Sequence, residues 1–426
     1  MKTIFKNSLF LAALAFSLSS NAQNRNLDNY RQPDKNGLNV FEAPKDSVST
    51  FENVKVRIGG SFALQFQALD HENETGAVAL KPITNNFNLA TANLDLDVAL
   101  AKGLRMHLRT YLSSRHHPEP YVKGGYLQVD NLDFIKEGFA ADFMKNATFK
   151  VGHMEINYGD THFRRSDNAQ GIFNPFVGNY IMDSFTTEVG AEFYYQKNNF
   201  LAMLGATNTK LNQDVADNEV NGNASPSIVA KVGWDKQINT DLRIRLTGSI
   251  YNTAWATRTY LYAGDRAGAR YYLVMSENDP AVSAKTDFTT GRYNPGFNNK
   301  LTAIMFNPFI KYQGLEFFGV LELSNGKNLG ETDRRKASQY GAELLYRFGN
   351  SDNFYVAGRY NQVSAEDVSG YDIDITRFNV GAGWFMTKNI LAKVEYVTQQ
   401  YDGFATGSKY DGGKFNGVVA EAIISF

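Results

Sequence analysis

Arg164 and Arg165 stand side by side in "NYGDTHFRRSDNAQGIFNPF", with Asp160 four residues before them and Asp167 two residues after. A guanidinium holds an anion through paired, charge-assisted hydrogen bonds, and a carboxylate holds a guanidinium in the same way. The pair therefore has two available roles. It could attract anions in a narrow passage, or it could fasten its segment to nearby carboxylates. Both roles are electrostatic. Bond-making chemistry has little to work with. The chain has no cysteine, so it offers no thiolate nucleophile, disulfide or thiolate metal site. No HExxH, GxSxG or complete GxxxxGK[ST] occurs. His107 and His153 fall on predicted strands with no evident nucleophile partner, so no enzyme is expected. His116 and His117 beside Glu119 could hold a divalent metal, but adjacent histidines on a polar loop more often hold none. No metal and no cofactor are expected.

The remaining charges are spaced by two. "LRIRLTGSIYN" puts Leu242, Ile244, Leu246 and Ile250 on one face, with Arg243, Arg245, Thr247 and Tyr251 on the other. "NLDLDVAL" sets Leu94, Leu96 and Val98 against Asp95 and Asp97, and "GLRMHLRTYL" sets Leu104, Met106 and Leu108 against Arg105, His107 and Arg109. Period-two alternation is a strand with one apolar and one polar face. The pattern predicts sixteen strands, near 54–69, 87–100, 104–113, 121–134, 145–158, 186–197, 199–208, 226–237, 241–253, 301–313, 315–325, 337–349, 353–364, 374–387, 390–401 and 413–426. Most are long enough to cross a bilayer, which takes a tilted strand of roughly 9–11 residues.

The connections alternate in length. "AKG", "KNN", "QG", "GNSDN" and "TKN" are short, while 70–86, 159–185, 209–225, 254–300, 326–336 and 402–412 are long. Short turns on one rim and long loops on the other mark an outer-membrane barrel. Lipid offers no hydrogen bonds, so each strand must pair on both sides, and only closure removes the edges. The expected fold is an all-β, transmembrane antiparallel barrel with short periplasmic turns and long extracellular loops. Counting back from the turns places Asp95 opposite Arg109, Glu343 opposite Arg359 and Lys311 opposite Glu316, and brings Asp235 near Arg243. Such cross-strand pairs favour the register. Arg105, Arg109, Arg243, Arg245, Arg347, Arg359, Asp95 and Glu343 are therefore expected on the lumen wall of a polar, water-filled tube. Phe426, Tyr251, Tyr346 and Trp384 are expected in an aromatic girdle outside it.

Composition agrees with many strands and tight turns. The chain carries 31 Phe, 23 Tyr and 36 Gly but only 10 Pro. "MKTIFKNSLFLAALAFSLSSNAQ" has the charged start, apolar centre and small-residue end of a secretory signal peptide, cut before Gln23. Its loss removes Lys2 and Lys6 and no acid, so the rest is slightly more acidic than the whole chain's net −1. No Lys/Arg run points to nucleic acid. Residues 23–53 read as a polar periplasmic segment, disordered or packed near the inner mouth, and 54–426 as the barrel.

At "VKVRIGGSFALQFQ" and "TFKVGHMEINYGDTHFRRSDNAQGIFNPF" the chain resembles the porin O and P family, the phosphate- and polyphosphate-selective porins and their relatives in Gram-negative bacteria. The resemblance covers most of the chain after the leader. It implies sixteen strands, a homotrimer in outer-membrane lipid, and a long third loop folded into the pore as a constriction. That loop is 159–185 here, with Arg164, Arg165, Asp160 and Asp167. It also implies passive diffusion of small hydrophilic solutes or ions, among them anions such as phosphate. The lysine cluster of the phosphate-selective members does not occur there. Two other functions are weighed: a rim enzyme, and a non-conducting barrel serving as scaffold or secretion-system component.

Overall fold

The computed structural model describes residues 27–113, 121–166, 170–210, 225–263, 272–281 and 289–426. The predicted leader, Asp167, and His116 with His117 lie outside them. The described residues form sixteen strands. On the first half run β1 Lys55–Glu72, β2 Asn86–Ala101, β3 Leu104–Ser113, β4 Tyr121–Val129, β5 Ala147–Glu155, β6 Thr187–Lys197, β7 Phe200–Thr207 and β8 Ser227–Gln237. Then come β9 Leu242–Thr253, β10 Lys300–Tyr312, β11 Leu315–Lys327, β12 Arg335–Phe348, β13 Phe354–Glu366, β14 Asp372–Thr387, β15 Ile390–Asp402 and β16 Lys414–Ser425. Each pairs antiparallel with its neighbours in sequence, and β16 returns to β1. The wall is a closed barrel with no open edge. The last residue helps to seal it, since Gly60 and Phe426 exchange both backbone hydrogen bonds, at 2.9 and 3.0 Å.

The cross-strand expectations hold in detail. Asp95 faces Arg109, Glu343 faces Arg359 and Lys311 faces Glu316. Asp235 faces Arg245 rather than Arg243, and Arg243 reaches it diagonally with two bonds of 2.8 and 2.6 Å. The ladder is least extensive between β4 and β5, where only Gly125–Val129 and Phe149–His153 pair.

The outer face is apolar along most of its height, as at Leu321, Leu344, Val380 and Val394, all exposed. Stacked rings ring the short-turn rim. Tyr346, Phe348, Phe354 and Trp384 follow one another at 6.2, 5.8 and 6.0 Å between centroids. Tyr346, Trp384 and Phe426 are about half exposed there, as a girdle requires. Tyr251 is a correction: it is 0% exposed and points inward, its hydroxyl 3.0 Å from Glu188. It belongs to the polar parity of β9, so the alternation that placed Arg243 and Arg245 inside already placed it there.

The interior is not simply wet. Inward residues of the wall include Met203, Val229, Met305, Phe318, Val320 and Val363, and these pack on Val177, Ile181 and Met182 of the β5–β6 connection in one buried cluster. This corrects the expectation that a polar, water-filled tube runs inside the whole wall. One side of the lumen holds an apolar core that strand alternation alone did not announce. Residues 27–53 also enter the barrel rather than hanging free, with Leu27 and Phe41 buried.

The lipid face predicts a position-dependent cost. Replacing Val380, near the middle of β14, with Arg should destabilise the folded barrel in bilayers by about 2–4 kcal/mol. Denaturant titration of refolding into vesicles measures this, and Val380→Leu should be nearly neutral.

Candidate functional site

The site is assembled from three layers: the inner wall, the β5–β6 connection 156–186, and the N-terminal segment. The connection is apolar for a loop, with "GIFNPFVGNYIMDSF" at 171–185. Its described residues are almost all buried, and its backbone bonds to the wall. Val177 donates to Glu395 at 2.9 Å, Ile181 to Asn361 at 2.7 Å and Met182 to Gln339 at 2.9 Å. Two inward glycines make room for it. A Cβ on Gly341 would lie 2.6 Å from the Tyr180 ring, and one on Gly381 3.3 Å from Phe176. The loop thus fills the lumen against β11–β15.

The predicted constriction residues divide as follows. Asp160 is fully buried at the centre of a charge cluster, 2.6 Å from Lys231, 2.8 and 2.9 Å from Arg245, and accepting from Thr247 at 2.9 Å. Arg164 donates to Asn39 at 2.9 Å and Glu343 at 3.1 Å. Arg165 donates to Asp183 at 2.8 and 3.0 Å and lies 4.0 Å over the Phe185 ring. Both arginines are buried and occupied, so the second of their two available roles, fastening the loop, is the one their geometry displays. Of the predicted wall residues, Arg347 holds Glu316, Arg359 holds Glu343 and the Gly178 carbonyl, and Arg243 reaches the Asn39 carbonyl. The two carboxylate pairs join neighbouring wall strands, and the bonds to Gly178 and Asn39 tie internal segments to the wall.

The N-terminal segment forms a strap across the short-turn mouth. At one end Asp34 meets Lys388 at 3.2 Å, and Lys35 bonds to Asn353 and the Ser351 carbonyl. At the other end Lys45 meets Asp130 at 3.0 Å and the Ala147 carbonyl at 2.6 Å. Between them Glu42 lies 3.0 Å from Lys231 and 2.8 Å from Arg245. Burial alone would raise the Glu42 carboxyl, but these two cations outweigh it and hold it down at about 2.

Strap, loop and the inner faces of β2–β6 leave a cavity of about 180 Å³. Arg105, Arg109 and Asp95 border it, as do Asp97, His107, Lys123, Lys150, Glu155 and Arg31. Its acids are engaged. Asp95 takes two bonds of 2.7 Å from Arg109. Asp97 gathers His107 at 2.8 Å, Tyr30 at 3.0 Å and Arg57 and Arg105 at 3.3 Å each. Glu155 meets His162 at 2.5 Å and Gln170 at 3.0 Å. Two cations are differently placed. Lys150 sits 4.9 Å over Tyr194 and 5.6 Å over Tyr126, and Arg31 sits 3.8 Å over Phe173. Among the described residues neither has a carboxylate within 4.0 Å. Burial pushes the Arg31 guanidinium down to about 9, which still leaves it charged at neutral pH. Sequence reasoning missed both. Lys150 shares the inward parity of Thr148, a signal that was present, whereas Arg31 lay in a segment without pattern.

No protein-family model matches the chain, and no curated protein matches it by sequence. Its fold is similar to those of many solved barrels, among them the following. An anion-selective porin from Comamonas acidovorans has a TM-score of 0.52 at 12% identity, covering 88% of this chain and 100% of that one. The outer membrane channel DcaP of Acinetobacter baumannii has 0.51 at 10%, covering 88% and 98%. OmpT, an outer membrane protein of Vibrio cholerae, has 0.50 at 11%, covering 89% and 100%. At identities this low the likeness carries the fold alone, a closed sixteen-stranded barrel.

Deleting the strap, residues 27–50, should enlarge the opening and raise any single-channel conductance at least twofold. Its docking should also depend on acid. The Glu42 carboxyl is depressed from its unfolded value of about 4.3, so its contribution is complete above about pH 4.5 and fades as pH falls towards 2. A nitroxide on Asn36→Cys should keep one immobilised spectrum from pH 8 to 5 and loosen only below about pH 3.

Proposed function

We propose that this chain is an outer-membrane porin through which small hydrophilic solutes diffuse passively, with the short turns at the periplasmic rim. The observation that carries the reading is the charged cavity beside β2–β6, enclosed by a closed barrel whose outer face is apolar. Solute passage through such a space needs no energy source. The narrowest ring of charge sets selectivity in such a path.

The ring invoked here differs from the arginine pair of the β5–β6 loop. Arg31 and Lys150 rest on aromatic faces while Asp95 is held by Arg109 and Asp97 by Arg57 and Arg105, so the field in the cavity favours anions. The anion selectivity named for the Comamonas barrel is consistent with this assignment. Phosphate lies within the class, but no feature of the cavity singles it out from other small anions.

The second reading, a non-conducting barrel acting as a scaffold, draws on a specific observation: much of the lumen is occupied by buried loop and strap residues. Planar bilayer recordings separate the two. Stepwise ohmic currents support the porin, and silence from protein that is folded by heat modifiability supports the scaffold. In a salt gradient the reversal potential should show anion preference. Lys150→Glu should shift that preference towards cations several-fold, whereas Arg165→Gln should leave the ratio nearly unchanged.

A further inference from the structure

Connections on the short-turn rim are mostly of two to five residues, as at 102–103, 198–199, 313–314 and 349–353. One is not. Residues 130–146, between β4 and β5, make a folded excursion ending in a helical turn at Ala141–Met144. Its backbone is internally bonded: Gly138 donates to the Asp133 carboxylate at 3.0 Å, Phe139 to the Lys136 carbonyl at 2.9 Å and Met144 to the Ala140 carbonyl at 2.9 Å. Gln196 of β6 donates to the Asn146 carbonyl at 2.8 Å and ties its end to the wall.

This ordered segment turns its large apolar side chains outward. Phe134 is 59% exposed, Ile135 61%, Phe139 47% and Phe143 45%. The segment also lies against the outside of the barrel. Phe143 stacks on Phe193 at 6.0 Å with ring planes 7° apart, and stands 5.9 Å from Tyr195. Phe193 and Tyr195 occupy the outward parity of β6, opposite the inward Glu192 and Tyr194. Phe149 of β5 continues the group at 4.9 Å from Phe193. Phe143 therefore joins the segment to the aromatic rings that face lipid, and charged Asp142 and Lys145 pair at 2.6 Å beside it.

We propose that 132–146 is an interfacial anchor. It lies in the headgroup–acyl boundary of the leaflet at the short-turn rim, with Phe134, Ile135, Phe139 and Phe143 inserted. Amphipathic segments with aromatic and aliphatic side chains on one face and mixed charges on the other partition to this depth. Continuity with the lipid-facing rings selects lipid over a water-soluble partner. The inference holds whether or not the lumen conducts.

The test uses the absence of native cysteine. Nitroxides are placed singly on Lys136→Cys and Ala140→Cys, which leave all four apolar side chains in place. References are Val380→Cys on the lipid face and Ser369→Cys in an exposed loop. The protein is reconstituted in phosphatidylcholine–phosphatidylglycerol vesicles. Both segment labels should collide with a water-soluble nickel complex at least fivefold less than the Ser369 label, and with oxygen nearly as often as the Val380 label. Combining Phe134→Ser, Ile135→Ser and Phe139→Ser should return both labels to the aqueous values while the folded band on an unheated gel persists. Nickel collision equal to the Ser369 label would overturn the anchor. Protection from both nickel and oxygen would overturn it too, and would assign the patch to a second copy of the chain.

Discussion

A backbone amide in hydrocarbon has no water to bond, and each unpaired group there costs several kcal/mol. That constraint decides most of this molecule. Sixteen strands pair on both sides, β16 closes on β1, and even the final residue bonds to Gly60. Once the wall is closed, strand alternation leaves one face for lipid and one for the interior. Everything that enters the interior must then satisfy a ring of charges supplied by the wall itself.

The interior meets that demand by two means. Apolar inward residues of β7–β16 are covered by the β5–β6 loop and by the β9–β10 connection, which contributes Leu261, Tyr272, Val274 and Met275, while charged inward residues receive partners from loop and strap. Removing one member of a buried pair typically costs 3–5 kcal/mol, because its partner is left uncompensated. Asp160, Glu42, Lys231 and Arg245 therefore act as a single fastening in which three chain segments meet. Beside β2–β6, strap and loop leave a charged cavity instead. The division of the lumen into a packed core and a cavity follows from where the apolar residues of the internal segments lie.

The fold was legible because its signals are local. Period two, turn spacing and charge pairs placed all sixteen strands and even the Asp95–Arg109 and Glu343–Arg359 registers. The site was less legible, because its geometry depends on contacts far apart in sequence. Arg164 and Arg165 look like a selectivity pair until Glu343, Asn39 and Asp183 appear around them. Arg31 could not be placed, since a strap held by Lys388 at one end and Asp130 at the other has no periodicity of its own. The Tyr251 correction has a different origin: alternation already spoke for the interior, and a general preference of aromatic rings for the rim was allowed to outrank it.

The strap and the loop also interlock, with Arg31 laid over Phe163 and Phe173 and bonded to the Phe163 carbonyl, and Arg164 bonded to Asn39. The strap occupies the side of the short turns and the loop comes from the opposite rim, so neither can reach its resting place through the other. Their meeting is a long-range event, joining residues more than a hundred positions apart, and such contacts form late and slowly. The cylinder can therefore be complete before its contents settle, and a freshly inserted molecule should pass through a stage that is sealed at the wall yet roomier within than the mature one.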